Sequence, residues 1–348
     1  MIDITFVMQL NQKIYSPFIL SIFSLFSFVL AAEPLVLYSH RHYEADQKLF
    51  DAFTEATGIE IQVLKAGANE LMERLKAEGD NTKADILITA DAGRLGEAKS
   101  LGLLTPIDSE TLRNRVPEAY RDSEGHWYGF SMRARVFVYT PERVKVSELS
   151  TYENLTNSNW KGRILCRSSN NIYNQSLLAS ILIADGEESA LTWATQVREN
   201  MARPPQGSDR DQIRAVAAGL GDLAIVNTYY LGLLLNSPEK KDRELAGKVK
   251  LFFPNQNGRG THVNVSGGGV LKASNQKENA RRFLEFMVSD EAQKTFPSAT
   301  YEYPVVQDIE WSELQKSWGR FKADTLNLSK LHEAGKQAVK VFNLSGWE

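Results

Sequence analysis

Two stretches of extended chain interrupt an otherwise regular alternation of strand and helix, and this interruption constrains the fold more than any other feature of the sequence. From residue 35 the chain reads strand, helix, strand: LVLYS at 35–39, a helix at about 43–57, then IEIQVL at 59–64. Leu49, Phe50 and Phe53 share one helical face, and Gly58 is placed to stop the helix. A second helix at 69–78 repeats the pattern with Leu71, Met72 and Leu75. ADILITAD at 84–91 is a bounded apolar run, as in a parallel sheet covered by helices on both faces. HWYGFSMRARVFVY at 126–139 then breaks the rhythm with two consecutive extended segments.

A second section of the same kind follows. It holds a strand at 164–166, helices near 172–184 and 186–199, a capped helix starting at Ser208, the strand LAIVN at 223–227, another helix, and VKLFFP at 249–254. HVNVSGGGVL at 262–271 is extended again, and the remainder is mostly helical. Alternating elements with short connections define α/β architecture. At 348 residues the chain is long enough for about two domains. The extended stretches near 131–138 and 261–270 predict two crossings between lobes. The expected layout is 32–132 for the first part of lobe one and 133–260 for lobe two. Residues 261–348 return to lobe one and end in helices that pack on both. Two crossings make a hinge, and ligands in such proteins lie in the cleft, at strand C-terminal ends and helix N-termini.

The segment 1–31 reads as a secretory signal peptide. Lys13 precedes an apolar core from Phe18 to Leu30, and Val29 and Ala31 form a small-x-small exit. The core is shorter than the ~20 apolar residues that span a bilayer, and serines interrupt it. Asp3 is unusual before such a core, and a start at Met8 would remove it. No Arg-Arg pair precedes the core, which argues against twin-arginine export, and no Cys follows it, which excludes lipoprotein anchoring.

Composition narrows the chemistry. With 43% hydrophobic and 24% charged residues the chain is globular and not disordered. A net charge of −3 argues against coating a nucleic acid, which needs a concentrated basic face. Five histidines and one cysteine cannot build a thiolate metal site, so any metal must be held by oxygen and nitrogen. Cys166, on an apolar strand with no paired histidine, reads as an inert core thiol. Ser266-Gly267-Gly268-Gly269 lacks the Lys-Ser/Thr of a phosphate loop and reads as a place of close backbone approach. No hydrolase signature is present, so no enzyme activity is expected.

The informative residues sit at the predicted strand-to-helix turns. His42 and Tyr43 follow the first strand, Tyr173 follows ILCRS, and Tyr229-Tyr230 follow LAIVN. Taken singly, each tyrosine reads as a half-buried packing residue with a bonded hydroxyl, and His42 as a structural or surface histidine. Taken together, they come from both predicted lobes and meet where a cleft should be. A phenol with pKa about 10 is a poor ligand for most metals. A hard trivalent cation reverses this by stabilising the phenolate, and a helix N-terminus adds partial positive charge. Converging phenolates therefore point to ferric iron.

With these residues in place, the mature sequence resembles the periplasmic ferric-iron-binding proteins of bacterial ABC importers, the transferrin-like branch of the extracellular solute-binding proteins. The likeness runs over nearly the whole mature chain. It is carried by LVLYSHRHYEADQKLFDAF, ADILITAD, RPPQGSDRDQIRAVAAGLGDLAIVNTYY, SGGGVLKAS, VSDEAQ and YEYPV. The resemblance implies a two-lobed type II periplasmic binding protein fold, with a hinge of two crossing strands. It implies Fe3+ as the transported ligand, no organic cofactor, and an inner-membrane ABC permease as partner to a periplasmic monomer. It further implies that Tyr43, Tyr173, Tyr229 and Tyr230 bind iron through phenolate oxygens, with His42 as a fifth ligand. Whether a synergistic anion or water completes the site is left open. Four phenolates on Fe3+ leave a charge of −1, for which Arg133 in the first crossing is the candidate counter-cation; its other reading is an ordinary surface or interlobe salt bridge. Tyr301 in YEYPV stands where the family more often has a small polar residue, a departure that bears on packing. The alternative is the same fold serving an organic solute such as a polyamine, thiamine, phosphonate or sugar, with the tyrosines stacking on it.

Overall fold

The chain is seen in a computed structural model, which describes residues 33–41 and 43–348. The readings made for residues 1–31 and for His42 lie outside the described residues. The first strands and helices follow the sequence pattern: β1 (Leu35–Ser39), α1 (Ala45–Thr57), β2 (Ile61–Lys65), α2 (Ala68–Glu78), β3 (Ile86–Thr89) and α3 (Ala92–Ser100). Gly58 ends α1 in the left-handed region at φ 71°, where its N–H donates to the Thr54 carbonyl. The strand β3 shows why its sequence is apolar throughout. Ile86 and Ile88 face a core with Leu37, Phe50, Phe53 and Phe283, while Leu87 faces the opposite core with Leu71, Leu75 and Leu95.

The 126–139 region forms one strand rather than two. Strand β4 (Tyr128–Tyr139) is buried along its whole length. It carries a bulge between Gly129 and Ser131 and changes partners at Arg135. Residues up to Ala134 pair with β8 (Val263–Val270), and residues from Arg135 onward pair with β6 (Leu223–Asn227) and β7 (Lys250–Phe252). The two crossings run side by side, with Ala134 opposite Val263 and Arg133 opposite Asn264. The sheet order is β2-β1-β3-β8-β4-β6-β5, with β5 at Ile164–Leu165 and a short β9 (Tyr303–Pro304) on β4. The sheet is mixed and not wholly parallel. Strands β1, β2 and β3 are parallel to one another, as are β5 and β6, but both crossings are antiparallel to their neighbours. A chain that leaves one half and later returns must run its two crossings in opposite directions.

The glycine run makes the second crossing possible. A Cβ on Gly267 would stand 2.4 Å from the Tyr128 carbonyl oxygen, and one on Gly269 would stand 2.5 Å from that of His126. These glycines serve backbone approach, as the sequence suggested. Cys166 is buried among core residues, and burial pushes its thiol up to about 12, which leaves it unreactive.

Beyond β4 the second half adds α4 (Ile172–Glu199), α5 (Asp209–Ala217) and α6 (Thr228–Leu235). The two helices expected at 172–199 are joined at Gly186, whose φ of 84° and ψ of 173° break the helical run. Ser208 caps α5 as expected: its hydroxyl accepts from the Asp211 N–H, and the Asp211 carboxylate accepts from the Ser208 N–H. The C-terminal helix α7 (Leu331–Ser345) lies along both α4 and α3. It is pinned at its end by Trp347 stacked on Trp193, ring centres 5.8 Å apart.

Candidate metal centre

All four singled-out tyrosines line one cavity of about 330 Å³. His40, Arg41, Ala90, Ser208 and Arg210 line it with them. Each tyrosine arrives there for a local reason. Tyr229 and Tyr230 lie in the first turn of α6, launched directly from the buried strand β6. Tyr173 lies in the first turn of α4, where the Asn171 side chain caps the helix by accepting from the Tyr173 N–H at 3.2 Å. Tyr43 lies in the short turn between β1 and α1. Strand C-terminal ends and helix N-termini from both halves of the sheet thus converge.

The rings are in mutual contact. The Tyr229 and Tyr173 hydroxyls are 3.3 Å apart. The Tyr229 and Tyr230 ring centres are 4.1 Å apart, and Tyr43 meets Tyr229 edge-on at 6.0 Å. Enclosure, joined by the charges of Tyr173, Tyr43 and Tyr230, pushes the Tyr229 phenol well above its ordinary value. Enclosure and the Glu302 carboxylate do the same to Tyr43, and enclosure and Tyr173 do the same to Tyr230. Four phenolates cannot coexist here without a cation among them. A cation that draws on these oxygens must displace their protons, which a hard, highly charged ion does best.

Arg133 is fully buried beside this group and is not a surface residue. It donates to the Ala90 carbonyl and to the Ser266 hydroxyl, and its Nη2 lies 3.1 Å from Glu302 Oε1. Burial alone would lower its pKa; Glu302 and the phenols of Tyr173, Tyr229 and Tyr43 outweigh this and raise it. Arg133 is thus a buried salt-bridge partner of Glu302 and not a surface one, and the phenols of Tyr173, Tyr229 and Tyr43 are near enough to add to its field.

Sequence reasoning missed several participants. Arg41 and Glu302 are both buried and ion-paired at 2.8 Å, and the exposed Arg210 sits over the Tyr230 ring at 5.9 Å. Glu302 had a signal, a lone carboxylate within the apolar YEYPV run. Tyr301 beside it, with φ of 58°, packs so close to α6 that a Cβ on Gly232 would fall 2.6 Å from its Cγ.

Comparison with known proteins agrees with this architecture. The model of the bacterial extracellular solute-binding proteins matches residues 81–322. The chain belongs to this family. Among its relatives is iron uptake protein A1 of Synechocystis, 49% identical over 312 residues, which are 90% of this chain and 87% of that one. The Fe(3+)-binding periplasmic protein of Serratia marcescens is 28% identical over 277 residues, covering 79% of this chain and 80% of that one. Among solved structures, a Trichodesmium protein (IdiA, FutA) in complex with iron and citrate superposes with a TM-score of 0.88. It is 48% identical, with 90% of this chain and 100% of that one covered. The solute-binding chain described here has the two-lobed type II periplasmic binding fold, with β4 and β8 as its crossing strands. No helix among the described residues is long and apolar enough to cross a membrane.

Proposed function

We propose that this solute-binding protein captures ferric iron in the periplasm and delivers it to an inner-membrane ABC permease. The observation that carries the reading is the convergence of Tyr43, Tyr173, Tyr229 and Tyr230 on one cavity, with two hydroxyls already 3.3 Å apart. The names of the relatives, iron uptake and Fe(3+)-binding proteins, support it. In this reading the four phenols lose their protons and bind Fe3+ as phenolates, and His42 is a further ligand. The assembly carries a charge of −1, and the buried guanidinium of Arg133, itself paired with Glu302, attracts it without competing for the metal.

The lobes are assigned 32–132, 133–260 and 261–348, after a signal peptide at 1–31. Tyr173, Tyr229 and Tyr230 then belong to the second lobe and Tyr43 to the first. Iron bridging them stabilises the closed arrangement over the open one by its differential affinity, and the permease reads the closed surface. The protein acts as a monomer, and no chemical conversion is part of its cycle.

The test is a visible spectrum of the iron-stripped protein during titration with a weakly chelated ferric salt. A tyrosinate-to-iron charge-transfer band that saturates at one equivalent is expected. A colourless titration with unchanged thermal stability would overturn the reading and turn attention to organic solutes that stack on the rings.

A further inference from the structure

The Glu302 carboxylate is completely buried, and four side chains share it. Its Oε2 accepts from Arg41 Nη1 at 2.8 Å and from Ser131 Oγ at 2.6 Å. Its Oε1 accepts from Arg133 Nη2 at 3.1 Å and from the Tyr43 hydroxyl at 3.5 Å. Burying such a carboxylate costs several kcal/mol of desolvation, and a well-packed apolar side chain often serves stability as well. Stability alone therefore gives this cluster no purpose.

Its geometry supplies one. Arg41 is held in two directions, gripping Asp46 through Nε at 3.0 Å and Nη2 at 2.8 Å while its Nη1 reaches Glu302. So fixed, its guanidinium lies over the Tyr43 ring, 4.8 Å from the centre. The protonated Tyr43 side chain is thus held at its face by Arg41 and at its hydroxyl by Glu302, and the Arg41 contact is the one that outlasts loss of the phenol proton. The other three tyrosines are aimed by helix first turns. Tyr43 lies outside any helix, two residues before α1 begins, so no helical turn sets the direction of its side chain. From this we infer that Glu302, acting through Arg41, is the positioning residue that aims Tyr43 into the cavity and fixes the first-lobe side of the cation site. The inference rests on the reading of Tyr43 as an iron ligand.

The experiment compares the iron-loaded wild type with Glu302→Gln, Tyr43→Phe, the double variant and Arg41→Lys. It reads the wavelength and intensity of the charge-transfer band and the rate of iron release to excess citrate. Glu302→Gln is expected to reproduce the band change of Tyr43→Phe, to speed release by about 10- to 100-fold, and to add nothing in the double variant. A purely structural role would lower the melting temperature and leave the band where it was. A wild-type band and release rate in Glu302→Gln beside an altered Tyr43→Phe overturns the inference, as do additive effects. An unaltered Tyr43→Phe overturns both the inference and the reading of Tyr43 as a ligand. Arg41→Lys keeps the charge but cannot bridge Asp46 and Glu302 together. It should shift the band likewise, and if Glu302→Gln does not fold, a wild-type band in Arg41→Lys overturns the inference.

Discussion

The two walls of the tyrosine cavity are built by different means. On the side of α4 and α6, Tyr173, Tyr229 and Tyr230 stand in the first turns of helices, so the backbone orients them and the rings pack on one another. On the side of β1, Tyr43 stands in a turn, and buried charges from Arg41, Asp46 and Glu302 surround it. A helix terminus aims a phenol and favours its anion at once. Where no helix is available, the fold uses an ion cluster that spans three chain segments.

If the walls differ in this way, their tyrosines should differ in weight. Tyr229 touches the other three, with Tyr173 at 3.3 Å, Tyr230 at 4.1 Å and Tyr43 at 6.0 Å. Tyr229→Phe should lower ferric affinity by at least about 100-fold, more than Tyr43→Phe, in competition with a chelator of known strength. Equal losses would break the comparison. The cations of the two walls should differ as well. Arg133→Met leaves Glu302 with one arginine in place of two and should cost about 3–5 kcal/mol of unfolding free energy, measured by denaturant titration. Arg210→Met, on the opposite wall, removes an exposed side chain and should stay within about 0.5 kcal/mol.

Acid should separate the walls by order of onset. The Arg41 and Arg133 guanidiniums overcome the opposing effect of burial and hold the Glu302 carboxyl at about 2, below its usual 4.5. Its contribution is complete above pH 4.5 and is lost as the pH falls towards 2. Near the other wall, burial, then Arg259 and Arg135, lower the His262 imidazole from 6.5 to about 3. The unfolded chain then takes up a proton below pH 6.5 that the native chain refuses, so this stability is lost from pH 6.5 downward. Thermal melts should show a decline between pH 6.5 and 5, of up to about 1.4 kcal/mol per pH unit from this one group. His262→Gln should flatten that decline without moving the loss below pH 4.5. An unchanged slope in the variant would remove His262 from the account.

Much of this was legible in the sequence because it is local. Hydrophobic period, the Ser208 cap and the Gly58 stop each act within a few residues, and all four tyrosines occupy turns that such signals mark. Arg41 with Glu302 was not legible, because their pairing depends on a return of the chain across some 260 positions, an interval that no local pattern encodes. The sense of the crossings was missed for the same reason: apolar runs reveal burial but not direction.

The side-by-side crossings also set an order of assembly. Strand β3 cannot gain its β8 neighbour until residues 263–270 exist, so Leu87 waits for Gly269, and Arg41 waits longer still for Glu302. The second half, from β5 to β7, is contiguous apart from the strand it shares, but Phe137 pairs with Phe252 and α4 is covered only when α7 and Trp347 arrive. A chain emerging N-terminus first can therefore complete neither half until the segments beyond residue 263 have emerged. The two walls of the cavity are thus both closed late, one by Glu302 and the other by the C-terminal helix behind α4.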